Sequence, residues 1–333
     1  MSPSYDPGTL LLLSSMAAVV PAAAYVSLIY WFDRYEKEPF WLLAAMFFWG
    51  AVPSVLLAIG FNTIASVPFD LIAGPEIRNT LAAILIAPPL EETVKGLALL
   101  GVFTFVRHEI DSLLDGIIYG AMVGMGFAMV ENVFYFLDVY EEGGRSAWQT
   151  LILLRAIVFG LNHSLFTSMT GLGLAVSRFA TRPHLRFLAP VLGWMVAVSL
   201  HTIHNLGASL GAPYCLILPL SNWGGVLLLG IIIVWALIQE RRWIRTYLSD
   251  EVTLGTLTAG QYRVACSGRA RLAHRLELLR TRGPRAYLAA TRFYRQCSEL
   301  AYKKHHYELL GEDHVIGMTQ DLREQVAGLS RQL

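Results

Sequence analysis

The chain has 333 residues, 55% of them hydrophobic and 15% charged, with a formal net charge of +1. A soluble globular chain carries about 25% charged residues, so a water-soluble fold over the whole length is excluded, and the near-neutral balance gives no electrostatic basis for binding nucleic acid. Three cysteines, Cys215, Cys266 and Cys297, lie in separate regions and make no disulfide or zinc framework.

A spanning helix needs about 20 mostly apolar residues, and seven such stretches follow one another between Thr9 and Gln239. The first, 9–32, lacks a basic lead-in and is too long for a signal-peptide core, so it is expected to be retained. The second, 40–61, follows a loop that holds Arg34 and Lys37. The third, 79–106, carries Pro88-Pro89 and then Glu91, Glu92 and Lys95 in EETVK. Both glutamates lie within one helical turn of the lysine, so the three can interact. Arg107 opens the next loop. In the fourth, 116–138, Gly116, Gly120 and Gly124 repeat every four residues, a small-residue ridge for close helix packing. Phe127 and Glu131 continue that ridge, which aims Glu131 into the bundle, with Asn132 beside it. The fifth, 151–176, starts with Arg155 at an interfacial position and sets Gly160, His163, Thr167 and Gly171 on one face. The sixth, 188–209, contains HTIHN, with His201 and Asn205 one turn apart and His204 beside them. The seventh is 213–239.

From Glu240 onward the sequence changes character. This tail holds 16 basic and 10 acidic side chains. Arg241, Arg242 and Arg245, next to the last span, suit anionic headgroups. Segments 255–280 and 284–310 mix apolar and basic residues at helical spacing, as in Leu272, Leu276 and Leu279, and Gly283-Pro284 breaks them apart. The simpler reading is a helical hairpin under the membrane domain; the sharper one is a docking module or a membrane-surface helix. The fold class expected is therefore all-α: a polytopic transmembrane bundle of about seven spans over 1–239, with a cytoplasmic helical extension over 240–333.

Lys and Arg set the orientation. They fill the loops 33–39, 107–115 and 177–187, the last with Arg178, Arg182 and Arg186, and they fill the tail. The alternate loops hold only Arg78 and Arg145, and the 210–212 turn holds none. The expectation is a plasma-membrane (inner-membrane) protein, N-terminus outside and C-terminus cytoplasmic.

Ionisable residues at bilayer depth cost several kcal/mol each and usually mark function. Counted from the outer end of each span at about 1.5 Å per residue, Glu91 and His163 lie roughly 18 Å down, and Glu131 and His201 roughly 11–12 Å. Four helices thus bring carboxylates and imidazoles into one layer. Peptide hydrolysis in a membrane needs an activated water, a proton acceptor and a donor for the oxyanion. Glutamate and histidine can supply these directly, with Asn205 as a donor, or by holding zinc. His163, His201 and Glu131 would offer two nitrogens and an oxygen to the metal; Glu91 or Glu92 would then be the base, and Lys95 would offset the doubled negative charge. HExxH and GxGD settings are missing, and LDG at Leu114–Gly116 carries no weight without a zinc-binding helix.

EETVK, DGIIYGAMVGMGFAMVEN, NHSLFTS and HTIHN resemble, in order, the motifs of the PrsW intramembrane proteases, distant relatives of the CAAX prenyl endopeptidases and the bacteriocin-immunity-type membrane proteases. The resemblance covers about residues 20–240. It implies Glu91 and Glu92 as the essential pair, Glu131 as the second-motif acid, His163 as the third-motif histidine, and His201 with Asn205 as the fourth motif. It also implies a metallopeptidase, with a metal-free glutamate mechanism considered for its relatives, and a single-span membrane protein of the anti-sigma-factor kind as substrate.

Other readings of the same residues remain at this stage. A lone intramembrane histidine can be only a hydrogen-bonding link between helices, and Glu91, Glu92 and Lys95 could be a buried ion pair. A proton- or cation-coupled transporter could use the buried carboxylates, although the chain shows no internal repeat. A catalytically dead scaffold is the third reading. Oligomeric state is not legible.

Overall fold

The computed structural model describes residues 5–70, 79–209, 217–311 and 314–333. Arg78, the 210–212 turn and Cys215 lie outside the described residues. Within the described residues every regular element is helical and there is no strand.

Two compact units divide the chain: Met1–Phe32 with Pro39–Ile231, and Asp33–Glu38 with Ile232–Leu333. The first contains α1 (Pro7–Phe32), α2 (Phe40–Trp49), α3 (Val55–Asp70), α4 (Ala87–Phe105), α5 (Leu113–Ile152), α6 (Asn162–Phe179), α7 (Pro183–Ser209) and the first half of α8 (Ile217–Tyr247). Five helical runs among the described residues are long and apolar enough to cross a membrane: Pro7–Phe32, Phe40–Pro68, Leu113–Phe179, Pro183–Ser209 and Leu218–Thr253. Two places account for the difference from the seven expected. The third expected span carries the charged triplet Glu91, Glu92 and Lys95. The fourth and fifth fall in one run of 67 residues, which is no single rod: two helices meet at a kink at Gly144, with φ 68° and ψ −166°.

Helix α5 runs through the middle of this unit. Its start is fixed by a capping box: Ser112 Oγ accepts from the Leu114 amide, and the Asp115 carboxylate accepts from the Asp111 and Ser112 amides at 2.7 Å each. The aspartate of LDG is thus a helix cap. The glycine ridge then lies backbone to backbone against α6. A Cβ on Gly116 would strike Gly171, one on Gly120 would strike Thr167 and Ser168, and one on Gly124 would strike the His163 carbonyl. This close approach lets Ser164 and Ser168 donate to the α5 carbonyls of Ala121 and Ile117 at 3.0 and 2.9 Å. Without water in the bilayer such interhelical bonds and van der Waals packing replace the hydrophobic effect.

Three π-helical turns interrupt the apolar helices: Gly50–Ser54, Ala82–Ile86 and Leu153–Val158. The second has a readable cause. The Ala87 amide bonds to the Ala82 carbonyl, five residues back. In that register Pro88 should serve Ala83, but proline has no N–H to give. The Asn205 amide of α7 donates to the Ala83 carbonyl instead, at 2.8 Å.

The second unit contains the rest of α8, then α9 (Ser249–Thr253), α10 (Ala259–Ala265), α11 (Gly268–Arg282), α12 (Pro284–Leu310) and α13 (His314–Ser330). Gly283, at φ 84°, supplies the expected break between α11 and α12. The core gathers Ile244, Leu248, Phe293, Leu300 and Val326. Arg271 is buried in it, donating to the Ala265 carbonyl at 2.7 Å, to Ser298 Oγ at 2.8 Å and to the Tyr35 carbonyl at 3.0 Å. Ser298 donates to the same Tyr35 carbonyl. The 33–38 loop is thereby built into the C-terminal helices.

Candidate active site

The polar residues of four helices converge within the first unit. On α4, Glu91 is 7% exposed, while Glu92 and Lys95 are fully buried, and on α6 and α7 His163 and His201 are also buried. Burying so many ionisable groups is tolerable only if they satisfy one another.

Glu92 is the most fully engaged. Its Oε1 forms the ion pair with Lys95 and lies 3.0 Å from His201 Nδ1, and its Oε2 accepts from Thr167 at 3.0 Å. A carboxylate oxygen at Nδ1 fixes the proton there, so His201 in its neutral form turns the lone pair of Nε2 outward. That nitrogen stands 3.8 Å from Glu91 Oε2. Lys95 also approaches His163 Nδ1 at 3.3 Å and lies 4.3 Å over the Phe127 ring. An ammonium can only donate, so Nδ1 of His163 accepts and Nε2–H points to Glu131 Oε2, 2.9 Å away. The two imidazole rings are 5.0 Å apart and nearly perpendicular.

Glu91 differs from its neighbour. Asn62 of α3 donates to Oε1 at 3.4 Å, but among the described residues Oε2 is buried with no hydrogen-bond partner. Glu91, His163 and His201 can each turn one ligand atom into a group whose members all lie within 4.8 Å of one another. An oxygen and two imidazole nitrogens form a donor set suited to zinc, and the orphaned oxygen is what such a site requires, so the residues present fit a metal ion.

The candidate site residues read from sequence all lie among the described residues. Glu91, Glu92, Lys95, His163 and His201 form one cluster, and Glu131 joins it through His163. Asn205 does not: its amide is committed to Ala83. His204 is also apart, its Nδ1 held by the amides of Asn162 and Asn222 at 3.1 and 2.9 Å.

Arg155, expected to be interfacial, pairs with Glu131 at 2.6 Å, donates to Asn132 Oδ1 at 3.0 Å and lies 3.8 Å over the Tyr135 ring. The π-turn Leu153–Val158 carries it and rotates it off the 3.6-residue register by which a face is counted. Asn62 had no sequence signal beyond being a polar residue in an apolar stretch. Asn132, Arg155, Asn162, His163 and His204 line a cleft beside the cluster.

Comparison with known proteins points the same way. A family model described as PrsW family intramembrane metalloprotease matches residues 38–238. The protein called Protease PrsW in Geobacillus kaustophilus (strain HTA426) is 28% identical over 219 residues, 66% of this chain and 86% of that protein. Protease PrsW of Bacillus subtilis (strain 168) is 26% identical over 220 residues, 66% of this chain and 89% of that one. For Protease PrsW of Clostridioides difficile (strain 630) the identity is 25% over 244 residues, 73% and 95% of the two chains. No solved structure matches significantly.

Proposed function

Since the chain belongs to the PrsW family of intramembrane proteases, we propose that it hydrolyses a peptide bond of a single-span membrane protein, with Glu91 as the reactive carboxylate and Glu92 as the carboxylate that positions its partners. The observation that carries this division of labour is the contrast between the two side chains. Glu92 has both oxygens occupied, whereas Glu91 Oε2 is buried, has no hydrogen-bond partner among the described residues and faces His201 Nε2.

Glu91, His163 and His201 are the residues that would hold a metal. Zinc bound there supplies a Lewis acid that brings the pKa of a coordinated water down to about 7. The rest of the chemistry belongs to the chain. Glu92 holds the Nδ1 proton of His201, so that its Nε2 faces Glu91. Lys95 neutralises Glu92; it also holds the Nδ1 lone pair of His163, and that hydrogen bond would have to open for this nitrogen to serve a metal. Arg155 fixes Glu131, and Glu131 takes the Nε2–H of His163 and so orients that ring. In a metal-free glutamate mechanism Glu91 Oε2 would take the proton of the attacking water. Asn205 acts from further away, by holding the π-turn that precedes the EETVK segment.

The substrate is membrane-embedded, as for any intramembrane protease, and we assign it to the anti-sigma-factor kind, cut toward the outer leaflet. An N-terminus outside and a C-terminus in the cytoplasm of the plasma (inner) membrane are supported by the Lys and Arg distribution and by the packing of the 33–38 loop with the C-terminal helices. On this reading residues 1–239 form the protease domain and 240–333 its cytoplasmic extension. No comparable support exists for the transporter and scaffold readings.

The test is metal content of the detergent-purified protein beside cleavage of a reconstituted single-span substrate, in wild type, Glu91→Gln and a His163→Ala/His201→Ala double variant. Near-stoichiometric zinc, lost in the double variant together with cleavage, is the result expected. An active wild type without metal selects the glutamate mechanism. Full cleavage by Glu91→Gln sinks the assignment of that residue.

A further inference from the structure

Helix α11 turns Arg271 and Leu278 into the core of the C-terminal unit, where both are buried. Another face of the same helix is left uncovered. Leu272, Leu276 and Leu279 are 48%, 45% and 40% exposed, and Leu288, early in α12, is 63% exposed. The three α11 leucines are spaced i, i+4 and i+7, so at about 100° per residue they form one stripe about 60° wide. On the same wheel, measured from Leu272, Arg269 and Arg280 lie roughly 60–80° to one side, and Arg275 and Arg282 roughly 60–80° to the other.

The charge around this stripe is one-sided. From Arg263 to Arg295 the sequence has nine arginines and a single acidic residue, Glu277. Of these arginines only Arg271 is buried. Leucines in line, bordered on both edges by arginine, are the composition of a helix that lies in a lipid interface: the leucines enter the acyl boundary and the guanidinium groups reach the phosphates. Nucleic acid would call for the basic rim without the leucine stripe. The C-terminal unit is also carried on α8, a helix of a membrane-resident chain, so a lipid surface is present at high effective concentration.

We infer that α11, with the first turns of α12, docks on an anionic phospholipid surface through Leu272, Leu276, Leu279 and the arginines beside them. This gives the C-terminal extension a lipid-sensing role separate from the hydrolytic site.

The full chain, as a Leu276→Cys variant in a Cys215→Ser background, is labelled with an environment-sensitive NBD dye; Cys266 and Cys297 are buried and do not compete. It is placed in nanodiscs of phosphatidylcholine alone or of phosphatidylcholine mixed with phosphatidylglycerol. Docking predicts a blue shift and a severalfold brighter dye in the anionic discs. Both effects should be lost at about 1 M salt, where the screening length falls to about 3 Å. Reversal of three exposed arginines beside the stripe together (Arg269→Glu, Arg280→Glu, Arg282→Glu) should return the dye to its state in neutral discs. The salt titration reads the same term without touching the fold, should the triple variant be unstable. Identical spectra in the two kinds of disc overturn the inference. So does a dye that ignores lipid and responds only to an added acidic protein or nucleic acid.

Discussion

Glu92 Oε1 sits 3.0 Å from Nδ1 of His201, so adjacent glutamates on α4 end on opposite nitrogens of one imidazole ring, with Glu91 on the Nε2 side. The pair should therefore separate kinetically. Glu91→Gln should abolish cleavage and metal retention together. Glu92→Gln leaves the reacting oxygen in place and loosens its partner, which typically costs about 10–100-fold in metal affinity or activity. Cleavage rate and bound metal, measured on the same preparations, make the comparison.

Lys95 is the cation that makes the cluster affordable. Lys95→Met leaves Glu92 buried and uncompensated, a change worth about 3–5 kcal/mol of stability. The double variant Lys95→Met/Glu92→Gln should recover much of that loss while remaining inactive. Thermal unfolding in detergent gives the stabilities; equal melting temperatures for the single and double variants would contradict the buried pairing.

The glycine ridge predicts a positional contrast. Gly124→Ala drives a methyl group into the His163 carbonyl, so it should cost about 1–3 kcal/mol as an overpacked contact and reduce turnover by shifting His163. Gly101→Ala, on α4, meets nothing within 4 Å and should be neutral or stabilising by up to about 1 kcal/mol. Melting temperature and turnover of the two variants check this.

Asn205→Ala should cost about 0.6–2 kcal/mol, the range for interhelical hydrogen bonds in membranes. The loss should appear as faster amide exchange in the residues around Ala83. Asn205→Asp should not rescue it, because a carboxylate has no proton to offer a carbonyl. Protection in Asn205→Ala equal to wild type would remove the structural role given to this side chain.

His305 gives the C-terminal unit a pH dependence. Its ring stacks on Trp243 at 4.3 Å, and burial, with His306 beside it, pushes its pKa down to about 4. The folded unit thus keeps the ring neutral while an unfolded chain would protonate near pH 6.5. Between those values the unfolded state binds more protons, so the stabilisation is complete above about pH 6.5 and drains away as pH falls toward 4. Hydrogen exchange across α12 at pH 7 and pH 5 should show the loss, and His305→Phe should flatten it.

The sequence made the helical class, the polar layer and the glycine ridge legible because each depends on a simple period or on composition. Gly116, Gly120 and Gly124 point at α6 as a spacing of four requires. What failed did so where the helical register changes. Arg155 sits on a π-turn, and its position at the outer end of the span gave no hint that it meets Glu131. The partner of Asn205 was hidden for the same reason, since Ala83 is orphaned only once the hydrogen bonding shifts to five residues before Pro88. Depth counting set Glu131 and His163 roughly 7 Å apart, yet the two side chains meet at 2.9 Å. Straight rods do not describe helices broken by π-turns.

The bond from Arg271 to the Tyr35 carbonyl joins residues 236 positions apart. During synthesis Tyr35 emerges early, and its partner is made only after every apolar helix of the chain. The C-terminal unit therefore cannot complete its core until the intervening helices have been threaded, and it can do so only if that threading returns the late segment to the side where the early loop waits. A helix inserted backwards would leave the guanidinium without the Tyr35 carbonyl, one of the three acceptors it has with Ala265 and Ser298, so this bond ties completion of the C-terminal core to the path the chain takes between them.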